Sequence, residues 1–191
     1  MCLVTIDMPD IKGLTYIPNF ISAAHHDKII KWADSHPWDN TLKRRTQQYG
    51  WKYDYRAKTV TRDAYLGDLP TVLLRIAARL HDNGLIEKIP DQCIVNEYMP
   101  GQGIGKHVDC EPCFGDRVFS LSLGSSAQMD FHSVIGKRTE SILLEPCSLL
   151  MMYGVARYDW KHGIPARHSD PQYRVHRARR ISLTFRTVVV A

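Results

Sequence analysis

The chain has 191 residues, 44% of them apolar, and a formal net charge of +5 at pH 7. That length suits one domain with a sizeable core, and the apolar content is ordinary for a soluble globular protein. No window holds the roughly 18 to 20 apolar residues that crossing a bilayer requires, and residues 1–10 lack a basic stretch leading into an apolar run. A soluble monomer without membrane attachment is expected, cytoplasmic, or nuclear in a eukaryote.

Ser22 reads as the N-cap of a helix running to about Ser35, with Ile29, Ile30 and Trp32 at its buried face. Residues 41–69 are polar and aromatic-rich. Within them Tyr49, Trp51, Tyr53 and Tyr55 alternate beside Lys43-Arg44-Arg45, Lys52 and Arg56. Bases stack on such aromatics and phosphates pair with such cations, although a strand hairpin packing its aromatic face on the core reads equally from this pattern. A second helix starts at Pro70, carries Val72, Leu73, Ile76, Ala77 and Leu80 at helical spacing, and stops at Asn83-Gly84.

From residue 92 the pattern changes to short runs rich in β-branched and aromatic residues, at 93–98, 117–123, 128–132, 141–145, 148–153 and 180–190. The fold class expected is α+β, mainly β: an antiparallel jelly roll with N-terminal helices packed outside it. One domain, 1–191, divides into helices and a candidate lid (1–91) and a jelly-roll core (92–191).

Chemistry concentrates at His107-Val108-Asp109. On a strand, residues two apart face the same side, so imidazole and carboxylate can share a metal. His162, in Trp160-Lys161-His162-Gly163-Ile164, can close a triad from a distant strand end, with His132, His168 and His176 as rivals. Two histidines and one carboxylate leave a non-haem Fe(II) ion positions for a co-substrate and O₂. Arg180 and Arg186 are six apart, hence on one strand face. Two inward arginines are costly unless an anion waits there. Cys110-Glu111-Pro112-Cys113 is a weak metal or redox signal and reads as two incidental loop thiols, while five cysteines in a chain of this size suit a reducing compartment.

With these motifs in order over residues 92–188, together with Asn96-Glu97-Tyr98-Met99-Pro100-Gly101 and Ser120-Leu121-Ser122-Leu123-Gly124, the chain resembles the AlkB family of Fe(II)/2-oxoglutarate-dependent dioxygenases. The resemblance implies that His107, Asp109 and His162 ligate iron and that Arg180 pairs with the distal carboxylate of 2-oxoglutarate. It further implies that Asn96, Tyr98 and Arg186 complete the co-substrate pocket. Glu111 stands where the family places an acidic residue against the flipped base, and Tyr49, Trp51 and Tyr53 fall in the region of its nucleotide-recognition lid. Implied cofactors are Fe(II), 2-oxoglutarate and O₂. The implied reaction removes methyl groups from alkylated nucleobases in DNA or RNA as formaldehyde, in direct-reversal repair; since the sequence offers no obvious duplex-invading wedge, single strands are the expected target. The alternatives are the same chemistry on a protein, a lipid or a modified tRNA base, and a binding module that has lost catalysis.

Overall fold

The computed structural model describes residues 8–189. In chain order these form β1 (Leu14–Ile17), α1 (Ala23–Asp34), β2 (Thr46–Tyr49), α2 (Thr71–Asp82), β3 (Gln92–Tyr98), β4 (Ile104–His107), β5 (Phe114–Gly124), β6 (Ala127–Ser133), β7 (Thr139–Leu144), β8 (Leu149–Met152), α3 (Val155–Tyr158), β9 (Trp160–Ile164), β10 (Ser169–Asp170), β11 (Val175–His176) and β12 (Arg180–Val188). A six-stranded sheet in the order β1-β8-β5-β12-β3-β2 and a four-stranded sheet in the order β4-β9-β6-β7 are both antiparallel throughout. Together they make the expected jelly roll.

Strand alternation divides the large sheet into two faces. Phe119, Leu121 and Leu123 of β5, Ile181, Leu183 and Phe185 of β12, and Cys93 and Val95 of β3 join Ile29 and Ala33 of α1 and Leu73, Ile76, Ala77 and Leu80 of α2 in one buried cluster. Residues of opposite parity, among them Tyr98, Val118, Leu150 and Met152, pack with Met129, Phe131, Ile142 and Trp160 of the small sheet in a second. The helices therefore cover one face of the large sheet, and the small sheet covers the other.

Both expected helices form. Ser22 caps α1, its hydroxyl accepting from the His25 amide at 3.3 Å, and α2 starts after Pro70 and ends on Asn83, with Gly84 left-handed behind it. The strand expected over 180–190 ends at Val188, and Val190 lies outside the described residues. Six strands were not legible as runs: β1, β2, β4, β9, β10 and β11. They are only two to five residues long, and β4 and β9 each contain a glycine.

After β2 the chain makes an irregular hairpin, bridging Trp51 to Tyr65 and Asp54 to Thr59. A third, small cluster lies beneath it, in which Trp51, Tyr53, Val60 and Ala64 meet Cys110, Cys113, Phe114 and Val188. Cys110 and Cys113 are joined as a disulfide. This corrects their reading as incidental thiols.

Candidate active site

β4 and β9 are neighbours, and their register sets His107 directly opposite His162, with ring centroids 4.5 Å apart. Asp109 lies just beyond the end of β4 and not on the strand, which corrects the expected placement. Leaving the strand does not turn its carboxylate away. Ligand atoms of His107, Asp109 and His162 all lie within 4.8 Å of one another, and Nε2 of His162 is 3.5 Å from Oδ2 of Asp109. No other such group of three occurs among the described residues. His168 and His176 are exposed, and His132 sits 3.4 Å from the Lys106 ammonium.

The surroundings prepare this triad for a cation. His107 places Nδ1 2.9 Å from the Gly105 carbonyl, so Nδ1–H donates there and Nε2 is left as the acceptor. Burial lowers the pKa of His162 to about 3 against the pull of the Asp109 charge, so its ring is neutral at neutral pH. For Asp109, burial alone would raise the carboxyl. The nearby Arg186 guanidinium outweighs it and holds the group below the usual carboxylate range. Oδ1 of Asp109 accepts from Arg186, while Oδ2 is buried without a hydrogen-bond partner. Two imidazoles, that of His162 neutral, and an ionised carboxylate with an open lone pair fit Fe(II).

Arg157 was not anticipated. Only 1% exposed, it donates to the carbonyls of Asp109 at 2.9 Å and of Cys110 at 3.3 Å, which fixes the backbone that carries the carboxylate. Its single signal in the sequence is its position five residues before His162 in a short apolar stretch.

The triad opens into a cavity of about 410 Å³ between the sheets. Arg180 and Arg186 both face it from β12, as their spacing predicts. Their roles differ. Arg186 pairs with Asp109 and reaches Gln92 at 3.2 Å, whereas Arg180 donates one bond, to Ser122 at 2.9 Å, and lies over the Tyr98 ring at 5.5 Å. Its Nε and Nη1 are buried and unpaired, and burial lowers its pKa to about 10. A buried fork with two unused donors facing the cavity fits the carboxylate of a dicarboxylic co-substrate. Asn96 and Tyr98 line the same wall, with Oδ1 of Asn96 accepting from Nε of Arg44 at 3.0 Å.

The residues expected to touch a base separate. Tyr53 lines the cavity with Tyr55, their rings 5.3 Å apart and edge-on, and Arg44, Lys58 and Lys106 add positive charge. Tyr49 does not reach the cavity. It points to the other face of the large sheet and packs on Trp32 at 5.3 Å, because β2 pairs with β3 and alternation takes it to the helix side. Trp51 packs at a tilt on Tyr65, ring centroids 5.0 Å apart, and on the small third cluster, and it does not line the cavity. Glu111 is exposed and does not line the cavity, because the turn closed by Cys110 and Cys113 carries it outward.

The profile of the 2OG-Fe(II) oxygenase superfamily matches residues 13–186. The chain is 37% identical over 166 residues to the tRNA (carboxymethyluridine(34)-5-O)-methyltransferase ALKBH8 of Mus musculus, covering 83% of this chain and 25% of that protein. It is 33% identical over 204 residues to the alkylated DNA repair protein ALKBH8 homolog of Arabidopsis thaliana, covering 94% of this chain and 59% of that one. It thus spans a quarter to three fifths of these relatives. Among solved structures, OsALKBH1 superposes with a TM-score of 0.69 at 20% identity, over 95% of this chain and 99% of that one, and so shares its fold.

Proposed function

The chain belongs to the 2OG-Fe(II) oxygenase superfamily and, within it, to the AlkB family, and from that premise we propose that it oxidatively demethylates alkylated bases in DNA or RNA. The family uses Fe(II), 2-oxoglutarate and O₂. His107, Asp109 and His162 would hold the iron, and Arg180, with Tyr98 and Asn96 beside it, the co-substrate. When bound, these groups supply the oxidation that releases an N-methyl carbon as formaldehyde while 2-oxoglutarate leaves as succinate and CO₂.

The chain's own residues bind and orient. Arg180 offers its unused donors to a carboxylate, Arg186 and Arg157 fix the side chain and backbone of Asp109, and Tyr53 and Tyr55 add aromatic surface to the cavity wall. Burial raises both phenols, so they stay protonated donors at neutral pH. Residues 50–66 act as a lid. The observation that carries a nucleic-acid target is this wall: two aromatic rings flanked by Arg44, Lys58 and Lys106, which is the pairing of stacking surface and cation that single strands require. The names of the mouse and Arabidopsis relatives support a nucleic-acid target, and the tRNA in the mouse relative's name favours a second reading, the same oxidative chemistry on a modified tRNA base.

The test is anaerobic loading with Fe(II), then 2-oxoglutarate, O₂ and a methylated single-stranded oligonucleotide, with formaldehyde and succinate measured. Wild type should release both, and Asp109→Ala neither. In a parallel reaction given tRNA in place of the oligonucleotide, succinate with an oxygenated base but no formaldehyde would replace the first reading by the second, and iron-loaded protein that makes no succinate in either reaction would defeat both.

A further inference from the structure

The Cys110–Cys113 disulfide begins at the residue after the candidate iron ligand Asp109, and it belongs to the small cluster on which the lid rests. Cys113 is buried, whereas Cys110 is half-buried and lines the cavity. Both sulfurs lie against one backbone atom of the lid, the Lys58 carbonyl oxygen, at 3.3 Å from Cys110 and 3.6 Å from Cys113. Lys58 is left-handed, with φ 53, at the tip of a tight turn in which Oδ1 of Asp54 accepts from the amides of Arg56 and Ala57. A lysine holds that conformation only where its surroundings impose it.

We propose that Cys110 and Cys113 form a reversible redox-modification site, opened and re-formed by thiol–disulfide exchange, that sets how firmly the lid is seated over the cavity. A dithiol attacks the accessible Cys110 sulfur and forms a mixed disulfide, expelling the Cys113 thiolate. The second reductant thiol then displaces Cys110. The protein gains two electrons and two protons as two thiols, and the reductant becomes a disulfide. The reverse exchange, with a disulfide of the same class, restores the bond.

Opening releases the constraint on the 110–113 turn, and with it the seat shared by Trp51, Tyr53, Val60 and Ala64. The iron side is insulated, because Arg157 holds the Asp109 and Cys110 carbonyls through bonds that do not involve sulfur. Reduction therefore acts on the lid and leaves the metal ligands in place.

The experiment is limited trypsin digestion of metal-free protein, oxidised or reduced with dithiothreitol and then desalted without oxygen, with redox state verified by thiol alkylation. Arg56 and Lys58, both exposed on the lid, are the reporting sites. Cleavage there should be about fivefold faster after reduction, as local opening becomes easier. Cys113→Ser should be cleaved at the fast rate with or without reductant, and Cys147→Ser should respond as wild type does. Equal rates in oxidised and reduced wild type, or a Cys113→Ser protein that still responds, would overturn the proposal. Should Cys113→Ser fold poorly, the wild-type comparison decides alone, since one chain supplies both states. A second arm rests on the proposed function: reduction should raise KM for the methylated oligonucleotide and leave substrate-independent succinate release unchanged. Absence of formaldehyde in both states would count against that function and leave the digestion result standing.

Discussion

Arg180 shows how a single buried side chain announces its missing partner. A guanidinium 2% exposed with two unpaired nitrogens is unstable by itself, and one carboxylate in the cavity satisfies both. Arg180→Ala removes both the charge and the fork, so half-saturation by 2-oxoglutarate should rise roughly 30-fold or more, the cost of breaking a buried charge pair. Initial-rate titration of succinate release checks this, and an unchanged requirement would remove Arg180 from the co-substrate site. At this scale the sequence was legible where chemistry restricts residue type. His107, Asp109, His162, Arg180 and Arg186 converge as their motifs imply. It was illegible where only orientation decides. Tyr49 and Tyr53 look alike in the string, yet pairing with β3 turns Tyr49 to the helices, whereas the irregular hairpin leaves Tyr53 at the cavity.

Among elements, the strands that could be read from the sequence, β3, β5 to β8 and β12, are those whose apolar residues alternate or run together. β4, Ile-Gly-Lys-His, carries no such pattern and is a strand because β9 lies close enough to pair with it. Gly163 makes that approach possible. A Cβ there would stand 2.9 Å from the Ile104 carbonyl oxygen and 3.1 Å from the Lys106 amide. Gly163→Ala must push β4 from β9, and since these strands set His107 opposite His162, the ligand geometry goes with them. Fe(II) affinity should fall about tenfold, as when the support of a metal ligand is disturbed. Anaerobic titration with Fe(II) measures it, and an unaltered affinity would show that the strand spacing does not position the ligands.

For the whole molecule, net charge is a poorer guide than where the charges are spent. Residues 174–180 hold four arginines, but Arg177 is tied to the buried Asp170, and Arg179 pairs with Asp34 and Glu97. Arg45 also pairs with Glu97. These cations hold the sheets and α1 together, and the buried carboxylates would be costly without them. Beyond Arg180 and Arg186, positive charge facing the cavity comes from Arg44, Lys58 and Lys106, brought together from the residues before β2, the lid and β4. If single-stranded nucleic acid crosses this mouth, each phosphate contact contributes about 0.7 to the slope of log K against log salt. Lys58→Ala with Lys106→Ala should therefore flatten that slope by about 1.4 while the 2-oxoglutarate requirement stays unchanged, because neither lysine is among Arg180's partners. Fluorescence anisotropy of a labelled oligonucleotide across a salt series measures it. A slope that is unaltered here, yet falls when Arg174 is changed to Ala, would move the nucleic-acid track from the cavity mouth to the segment before β12.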